Sequence, residues 1–157
     1  MPLKQLNILL ADDDVDDCIF FKKALEELLL ATDVTVVNDG EKLMQQLTSK
    51  DSELPHVLFL DLNMPRKNGF ECLAEIKQNE KLAALPVIIF STSFEQGVVN
   101  QLYLSGAQYF IRKPSEFEQF KNIIHQTLFL IASQLASNKT GKIRQPEKED
   151  FVLVLVK

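Results

Sequence analysis

The chain has 157 residues, of which 46% are hydrophobic and 25% charged, a composition typical of one globular domain rather than a disordered chain. Its net charge of -5 offers no electrostatic reason to bind nucleic acid. The N-terminus lacks the apolar stretch of a secretory signal, and no apolar run approaches the ~18 residues that span a bilayer, so we expect a cytoplasmic protein without a membrane or nucleic-acid partner.

Short aliphatic runs alternate with longer segments of helical period along the chain. Strands are predicted near 6–11, 33–38, 56–61, 86–91 and 107–112. Helices are predicted at about 14–31, 40–49, 66–80, 95–104 and 115–134. Five repeats of strand then helix predict an α/β fold, a doubly wound five-stranded parallel sheet, because parallel crossovers place helices on both faces.

The first predicted helix has an acidic start and an apolar stripe. Asp14 can cap it, and Asp16 and Asp17 lie favourably in its positive first turn. We therefore assign these three acids to the helix start. The apolar residues predicted to share one face are Val15, Cys18, Ile19, Leu25, Leu28 and Leu29.

The two cysteines, Cys18 and Cys72, both fall inside helical patterns. No CxxC pair and no Cys/His spacing suited to zinc is present. We predict buried free thiols in a reducing compartment rather than a disulfide bridge or a redox pair.

Polar side chains follow four of the predicted strands. Asp12 and Asp13 follow the first strand, Asp61 ends the third, Ser91 ends the fourth and Lys113 follows the fifth. Open α/β proteins build their sites at the carboxyl edge of the sheet, where all of these side chains would lie. Three carboxylates at one edge repel one another and favour a hard cation such as Mg²⁺.

Asp61 is the candidate nucleophile of this edge. A carboxylate is ionised at neutral pH without assistance, and carboxylates accept phosphoryl groups. Lys113 would supply a point cation for one phosphoryl oxygen, and Ser91 a hydroxyl donor for another. Phosphoryl transfer depends mainly on positioning and charge neutralisation, which such a set of residues provides.

Four motifs stand in order along the chain: Asp12-Asp13, Asp61-Leu62-Asn63-Met64-Pro65 with Gly69, Ser91, and Lys113-Pro114. Over about residues 5–133, this set resembles the receiver domain of bacterial two-component response regulators. The stretch from Asp61 to Gly69 is most similar to stand-alone, CheY-like receivers, including those encoded near phytochrome kinases. The resemblance implies a flavodoxin-like fold and a signalling protein, with only Mg²⁺-dependent self-phosphorylation and autodephosphorylation as chemistry.

The resemblance also implies a role for each site residue. Asp61 would be the phosphoacceptor, and Asp61 and Asp13 would hold Mg²⁺ directly. Asp12 would act on the cation through water, and the backbone carbonyl of Asn63 would complete the protein ligands. Ser91 and Lys113 would contact the phosphoryl group.

Other family positions carry further expectations. Asn63 and Ser93 would tune how fast water removes the phosphoryl group. Thr92 stands where alanine is frequent, so its bulk could restrict access to Asp61. Phe110 falls at the position of an aromatic ring that moves inward on phosphorylation; the alternative is a core aromatic with a single position. The bond between Lys113 and Pro114 is expected to be cis.

The expected partners are a sensor histidine kinase or a histidine phosphotransfer protein, and a downstream protein. The sequence does not separate direct output from onward transfer in a phosphorelay. A homodimer would use either the face of the fourth helix, fifth strand and fifth helix, or the hydrophobic tail. The alternative function is an Mg²⁺-dependent phosphatase with an aspartyl nucleophile, similar to the haloacid dehalogenase class. That class has a second Asp where this chain has Asn63, and a flavodoxin-like binding module would need a Gly-rich phosphate loop that is missing.

The pattern changes after about residue 134, so the chain is divided into a receiver at 5–133 and a C-terminal tail at 134–157. Residues 137–150 are polar and aperiodic, which is typical of a linker or flexible tail. Residues 151–156 are six apolar residues of high strand propensity. We expect them to add to a sheet edge, in their own chain or in a partner.

Overall fold

The computed structural model describes residues 5–138 and 143–155. One parallel sheet lies at its centre, in the order β2-β1-β3-β4-β5. The strands are β1 (Leu6–Ala11), β2 (Thr32–Val37), β3 (Val57–Leu60), β4 (Val87–Ser91) and β5 (Tyr109–Arg112). The helices are α1 (Val15–Glu26), α2 (Gly40–Thr48), α3 (Gly69–Gln78), α4 (Gln96–Leu104) and α5 (Phe117–Ser137). The predicted fold class, element order and parallel pairing are confirmed, and no helix among these residues is long and apolar enough to cross a membrane.

Three helix boundaries differ from the predictions by three or more residues: the end of α1, the start of α3, and the end of α5, which reaches Ser137 rather than about 134. Helix α1 ends at Glu26 rather than near 31. The N–H groups of Glu27 and Leu28 both donate to the Leu25 carbonyl in a closing turn, and Ala31 already pairs with Leu6 at the start of the sheet. Helix α3 begins at Gly69 rather than 66. Arg66 has a φ of 68°, outside the helical region, and Asn68 caps the helix in a reciprocal capping box with Glu71.

The apolar stripe predicted for α1 was wrong in part. Val15 is 71% exposed and Ile19 47% exposed, and Leu29, 96% exposed, lies beyond the end of the helix. The buried face of the helix is formed instead by Phe21, Ala24 and Leu25. Large apolar side chains one turn apart therefore set the orientation of α1, and its N-terminal apolar residues face outward.

Two hydrophobic layers cover the sheet, one on each face. Helices α1 and α5 pack on one face over a cluster of phenylalanine rings in edge-to-face contact: Phe21, Phe59, Phe90 and Phe120. Helices α2, α3 and α4 pack on the other face. Strands β3 and β4 are buried along their whole length, as a doubly covered sheet requires.

Both cysteines are free thiols, as predicted, with Cys72 buried and Cys18 half-buried. Burial raises the pKa of each thiol to about 11. Neither side chain is therefore a ready thiolate at neutral pH, and both serve as small apolar core residues.

The segment 143–150 packs on the domain and differs from the linker predicted there. The Gln145 side-chain amide donates 2.8 Å hydrogen bonds to the carbonyls of Tyr103 and Ala107, and the Tyr103 hydroxyl donates to the Pro146 carbonyl at 2.8 Å. A 3₁₀ turn follows at Lys148–Asp150. Hydrogen bonds from polar side chains hold this segment against α4 and the residues just before β5. Composition alone does not predict such bonds.

The apolar end of the tail meets the free edge of β5. The Phe110 N–H donates to the Phe151 carbonyl at 3.0 Å, and the Leu153 N–H donates to the Phe110 carbonyl at 2.9 Å. The pairing is one parallel bridge between Phe110 and Val152 rather than a full strand, and Val156 lies outside the described residues. The tail therefore covers part of an edge strand of its own chain.

Phe151 anchors this tail, so Phe151→Ala should destabilise the protein. The ring is 1% exposed and stacks edge-to-face on Tyr103 at 5.2 Å. We expect a loss of about 2 kcal/mol, below the 3–5 of a central core phenylalanine because the tail can detach alone. Urea denaturation measures the loss, and Val154→Ala, at a side chain 70% exposed, is the matched control. Equal effects of the two variants would contradict the anchoring role.

Candidate functional site

Three carboxylates meet at the carboxyl edge of the sheet. Asp12 and Asp13 follow β1, and Asp61 follows the neighbouring strand β3. The Asp61 N–H donates to the Ala11 carbonyl at 2.9 Å, which fixes the two strand ends side by side. One oxygen from each carboxylate lies within 4.8 Å of the others, with Asp12 and Asp61 buried and Asp13 exposed. Hard oxygen donors grouped in this way, open to solvent on one side, fit a hydrated Mg²⁺.

Lys113 carries its ammonium into this group of acids. Its Nζ lies 2.7 Å from Asp12 Oδ2, 2.9 Å from Asp17 Oδ2 and 3.6 Å from Asp61 Oδ2. The side chain is only 4% exposed. Lys113 directly follows β5. Its backbone N–H donates a 2.8 Å hydrogen bond to the carbonyl of Ser91, the last residue of β4.

Burial and charge shift the pKa values of this site. Burial raises the pKa of Asp61 to about 7, against the opposing effect of the Lys113 charge. Burial also raises the pKa of Asp12, and its hydrogen bond from Lys113 limits the rise. For Lys113, burial favours the neutral amine, but the hydrogen bond and charge of Asp12 outweigh it, so its pKa lies above the usual value. The site therefore has more acid than its single ammonium neutralises, and additional positive charge would favour the ionised form of Asp61.

Ser91 lies at the same edge but is turned toward its own loop. Its side chain is fully buried, its Oγ is 3.3 Å from the Ser93 Oγ, and it accepts a 3.3 Å hydrogen bond from the Ser93 N–H. Within the described part of the chain, the Ser91 hydroxyl has no hydrogen bond to Asp61 or Lys113. Thr92 is exposed at the rim of the site.

The loop after Asp61 is held close to it. The Asn63 N–H approaches Asp61 Oδ1 at 3.5 Å, and the Gly69 N–H donates to the Leu62 carbonyl at 3.0 Å. A Cβ at Gly69 would lie 2.5 Å from the Asp61 carbonyl oxygen. A side chain at position 69 would therefore push the phosphoacceptor candidate out of place, which gives the glycine of the motif a steric cause.

The bond between Lys113 and Pro114 is trans, so the expected cis bond was wrong. No cis peptide bond occurs among the residues that the structure describes. The trans form is the intrinsically favoured one for X–Pro bonds by about 0.5–1 kcal/mol.

Phe110 occupies the inward position. Its side chain is 1% exposed, and its ring lies 5.8 Å from the ring of Phe94, which is 39% exposed. Phenylalanine has no hydroxyl to keep in water, which favours this buried state. The backbone of the same residue holds the C-terminal tail, through the hydrogen bonds to Phe151 and Leu153 described above.

One site residue was missed by the sequence reasoning. Asp14 caps α1 as predicted, by accepting a hydrogen bond from the Asp17 N–H at 3.1 Å. Asp17, assigned to the helix start alone, also binds Lys113. The available signal was position: a helix that begins directly after Asp12 and Asp13 places its first turn over the same edge of the sheet.

Comparisons with known proteins agree with this geometry. The family model of the response regulator receiver domain matches residues 8–125. The response regulator Rcp1 of Synechocystis sp. (strain ATCC 27184 / PCC 6803 / Kazusa) is 35% identical over 100 residues, which cover 61% of this chain and 68% of that protein. The crystal structure of Mn(2+)-bound Rcp1 matches with a TM-score of 0.72 and 28% identity, covering 77% of this chain and 90% of that one. The phosphorylated cyanobacterial phytochrome response regulator RcpA matches with a TM-score of 0.77 and 28% identity, covering 82% of this chain and 95% of that one.

Proposed function

This chain belongs to the response regulator receiver family, and from that premise we propose that it is a cytoplasmic single-domain response regulator whose phosphoacceptor is Asp61. The donor would be the phosphohistidine of a sensor kinase or of a histidine phosphotransfer protein. The observation that carries the proposal is the Lys113 ammonium, which lies between Asp12 and Asp61 beside the three grouped carboxylates. Residues 5–133 would form the receiver, and 134–157 its C-terminal extension.

The proposed transfer makes one bond and breaks one. A carboxylate oxygen of Asp61 attacks phosphorus as the P–N bond of the donor breaks, and the electron pair stays on the imidazole nitrogen. Asp13 and Asp61 would hold Mg²⁺ directly, Asp12 through water, and the Asn63 carbonyl would complete the protein ligands. The ion, when bound, supplies positive charge against which the phosphoryl oxygens and carboxylates are stabilised.

The remaining residues around Asp61 have supporting roles in the proposal. Lys113, 3.6 Å from Asp61, would bind a phosphoryl oxygen as a point charge. The Ser91 hydroxyl would exchange its contact with Ser93 for another phosphoryl oxygen. Asn63 and Ser93, both exposed, would set the access of the water that later removes the group, and Thr92 would limit access to Asp61.

Output would pass through protein contacts or through onward transfer of the phosphoryl group. The face formed by α4, β5 and α5, where the tail covers part of the β5 edge, is the candidate surface for a downstream protein or a second copy of the chain. Phe110 links this face to the site, since movement of the Ser91 hydroxyl would bias the position of the ring. The same ring position with and without a phosphoryl mimic would contradict this switch.

The experiment that tests the function is intact mass after incubation with phosphoramidate, with and without Mg²⁺. We expect the wild type to gain one phosphoryl group only with Mg²⁺, and Asp61→Asn to gain none. Asp51→Asn, at an exposed carboxylate in the loop before β3, is the matched control and should behave as the wild type. A wild type that gains no group, or that turns over small phosphate esters as a phosphatase would, would overturn the proposal.

A further inference from the structure

Among the residues that the structure describes, Asp17 is the one acid that contacts Lys113 without belonging to the group of three carboxylates. Its Oδ2 lies 2.9 Å from the Lys113 Nζ, and its side chain is 20% exposed against 4% for the lysine. The contact joins the first turn of α1 to the end of β5, 96 residues apart along the chain. It is therefore a tertiary ion pair rather than a local feature of the helix.

The three N–H groups of an ammonium can serve three acceptors. In this structure the Lys113 ammonium donates hydrogen bonds to Asp12 at 2.7 Å and to Asp17 at 2.9 Å, and Asp61 Oδ2 lies 3.6 Å away as an ion-pair partner. The grouped oxygens that fit a cation come from Asp12, Asp13 and Asp61. Once a cation is bound, Asp12 and Asp61 would therefore interact with both the cation and the ammonium. Asp17 would interact with the ammonium alone.

We propose that Asp17 is a positioning residue that holds the Lys113 ammonium beside Asp61 while Asp12 and Asp61 bind the cation and the phosphoryl group. This inference rests on the proposed function of Asp61. Lys113 has a flexible four-carbon stem, so without a fixed partner its charge spreads over many positions. The backbone of Asp17 is itself fixed, because its N–H donates to the Asp14 side chain that caps the helix, at 3.1 Å.

The first test compares Asp17→Ala with Asp16→Ala in the rate of Asp61 phosphorylation by phosphoramidate at saturating Mg²⁺. Asp16 is an exposed acid in the same turn, so both variants lose the same charge from the same helix start. We expect Asp17→Ala to be about five- to tenfold slower, a part of the hundredfold that a ~1 Å misplacement can cost. Asp16→Ala should match the wild type, and equal rates in all three proteins would overturn the inference.

A double-mutant cycle asks whether Asp17 acts through the lysine. In a Lys113→Met background, Asp17→Ala should have no further effect on the rate, because the group that it positions has been removed. Losses that multiply in the double variant would assign Asp17 an independent role and contradict the proposal.

A spectroscopic readout keeps the test independent of phosphoryl transfer. The ¹³Cε resonance of Lys113 in labelled protein, identified by its loss in Lys113→Met, reports the order of the side chain. We expect it to shift and sharpen in Asp17→Ala but not in Asp16→Ala. A wild type that takes up no phosphoryl group would defeat the proposed function and this inference with it, whereas an unchanged lysine signal in Asp17→Ala would defeat this inference and leave the proposed function standing.

Discussion

Replacing Lys113 with methionine should lower the free energy of unfolding by about 3–5 kcal/mol at neutral pH without added cation. The ammonium is 4% exposed and within 3.6 Å of Asp12, Asp17 and Asp61. Methionine keeps much of the apolar stem but leaves buried carboxylates without their counter-charge. Removing one partner of a buried ion pair is costly because the other charge stays behind. Urea denaturation at pH 7.5 measures the difference.

The electrostatic cause of that loss can be separated from packing. Added Mg²⁺ should stabilise Lys113→Met more than the wild type, since the grouped oxygens of Asp12, Asp13 and Asp61 can take a cation in place of the ammonium. The deficit should also shrink toward pH 5, where Asp61, whose pKa burial raises to about 7, holds a proton and needs no counter-charge. Lys42→Met, at a side chain 57% exposed, is the control and should change stability little. A deficit that is the same at every pH and Mg²⁺ concentration would point to packing instead.

The fold was predictable because its signals are local and repeated. Strands β3 and β4 appear in the sequence as short apolar runs, and the structure buries both completely. The edge acids were predictable for the same reason, since Asp12 and Asp61 stand directly after such runs. The orientation of helix α1 was harder to predict. Val15 and Ile19 fit an apolar helical stripe, yet burial of Phe21 turns them outward.

The features that sequence reasoning missed depend on contacts between distant segments. The pair of Asp17 and Lys113 spans 96 positions, and the bond from the Gln145 side chain to the Ala107 carbonyl spans 38. Neither residue type predicts its partner, because an acid in a first turn and an amide in a polar segment are ordinary on a surface. The register of the tail on Phe110 is set by Phe151, whose burial follows from the shape of the neighbouring core.

Asp61→Asn should stabilise the protein at pH 8 by roughly 2–4 kcal/mol in the absence of a divalent cation. The ordinary pKa of the Asp61 carboxyl is 3.8, and burial raises it to about 7 in the folded protein. Between these values the folded state keeps a proton that the unfolded chain has lost. The contribution of Asp61 to stability is therefore fully present below about pH 4 and is lost as the pH rises through 7. Asparagine does not titrate, so the variant escapes that loss.

The dependence of the unfolding free energy on pH tests this prediction. Unfolding free energies of wild type and Asp61→Asn should converge near pH 4 and separate steadily up to about pH 7, with the variant above. Mg²⁺ should narrow the gap at pH 8, because the cation stabilises the ionised carboxylate that only the wild type has. Asp16→Asn, at an exposed acid of α1, should follow the wild-type profile. Parallel profiles for wild type and Asp61→Asn would mean that the carboxyl of Asp61 is ionised in the fold at no cost. In that case burial of this acid would give no reason for the site to favour a bound cation.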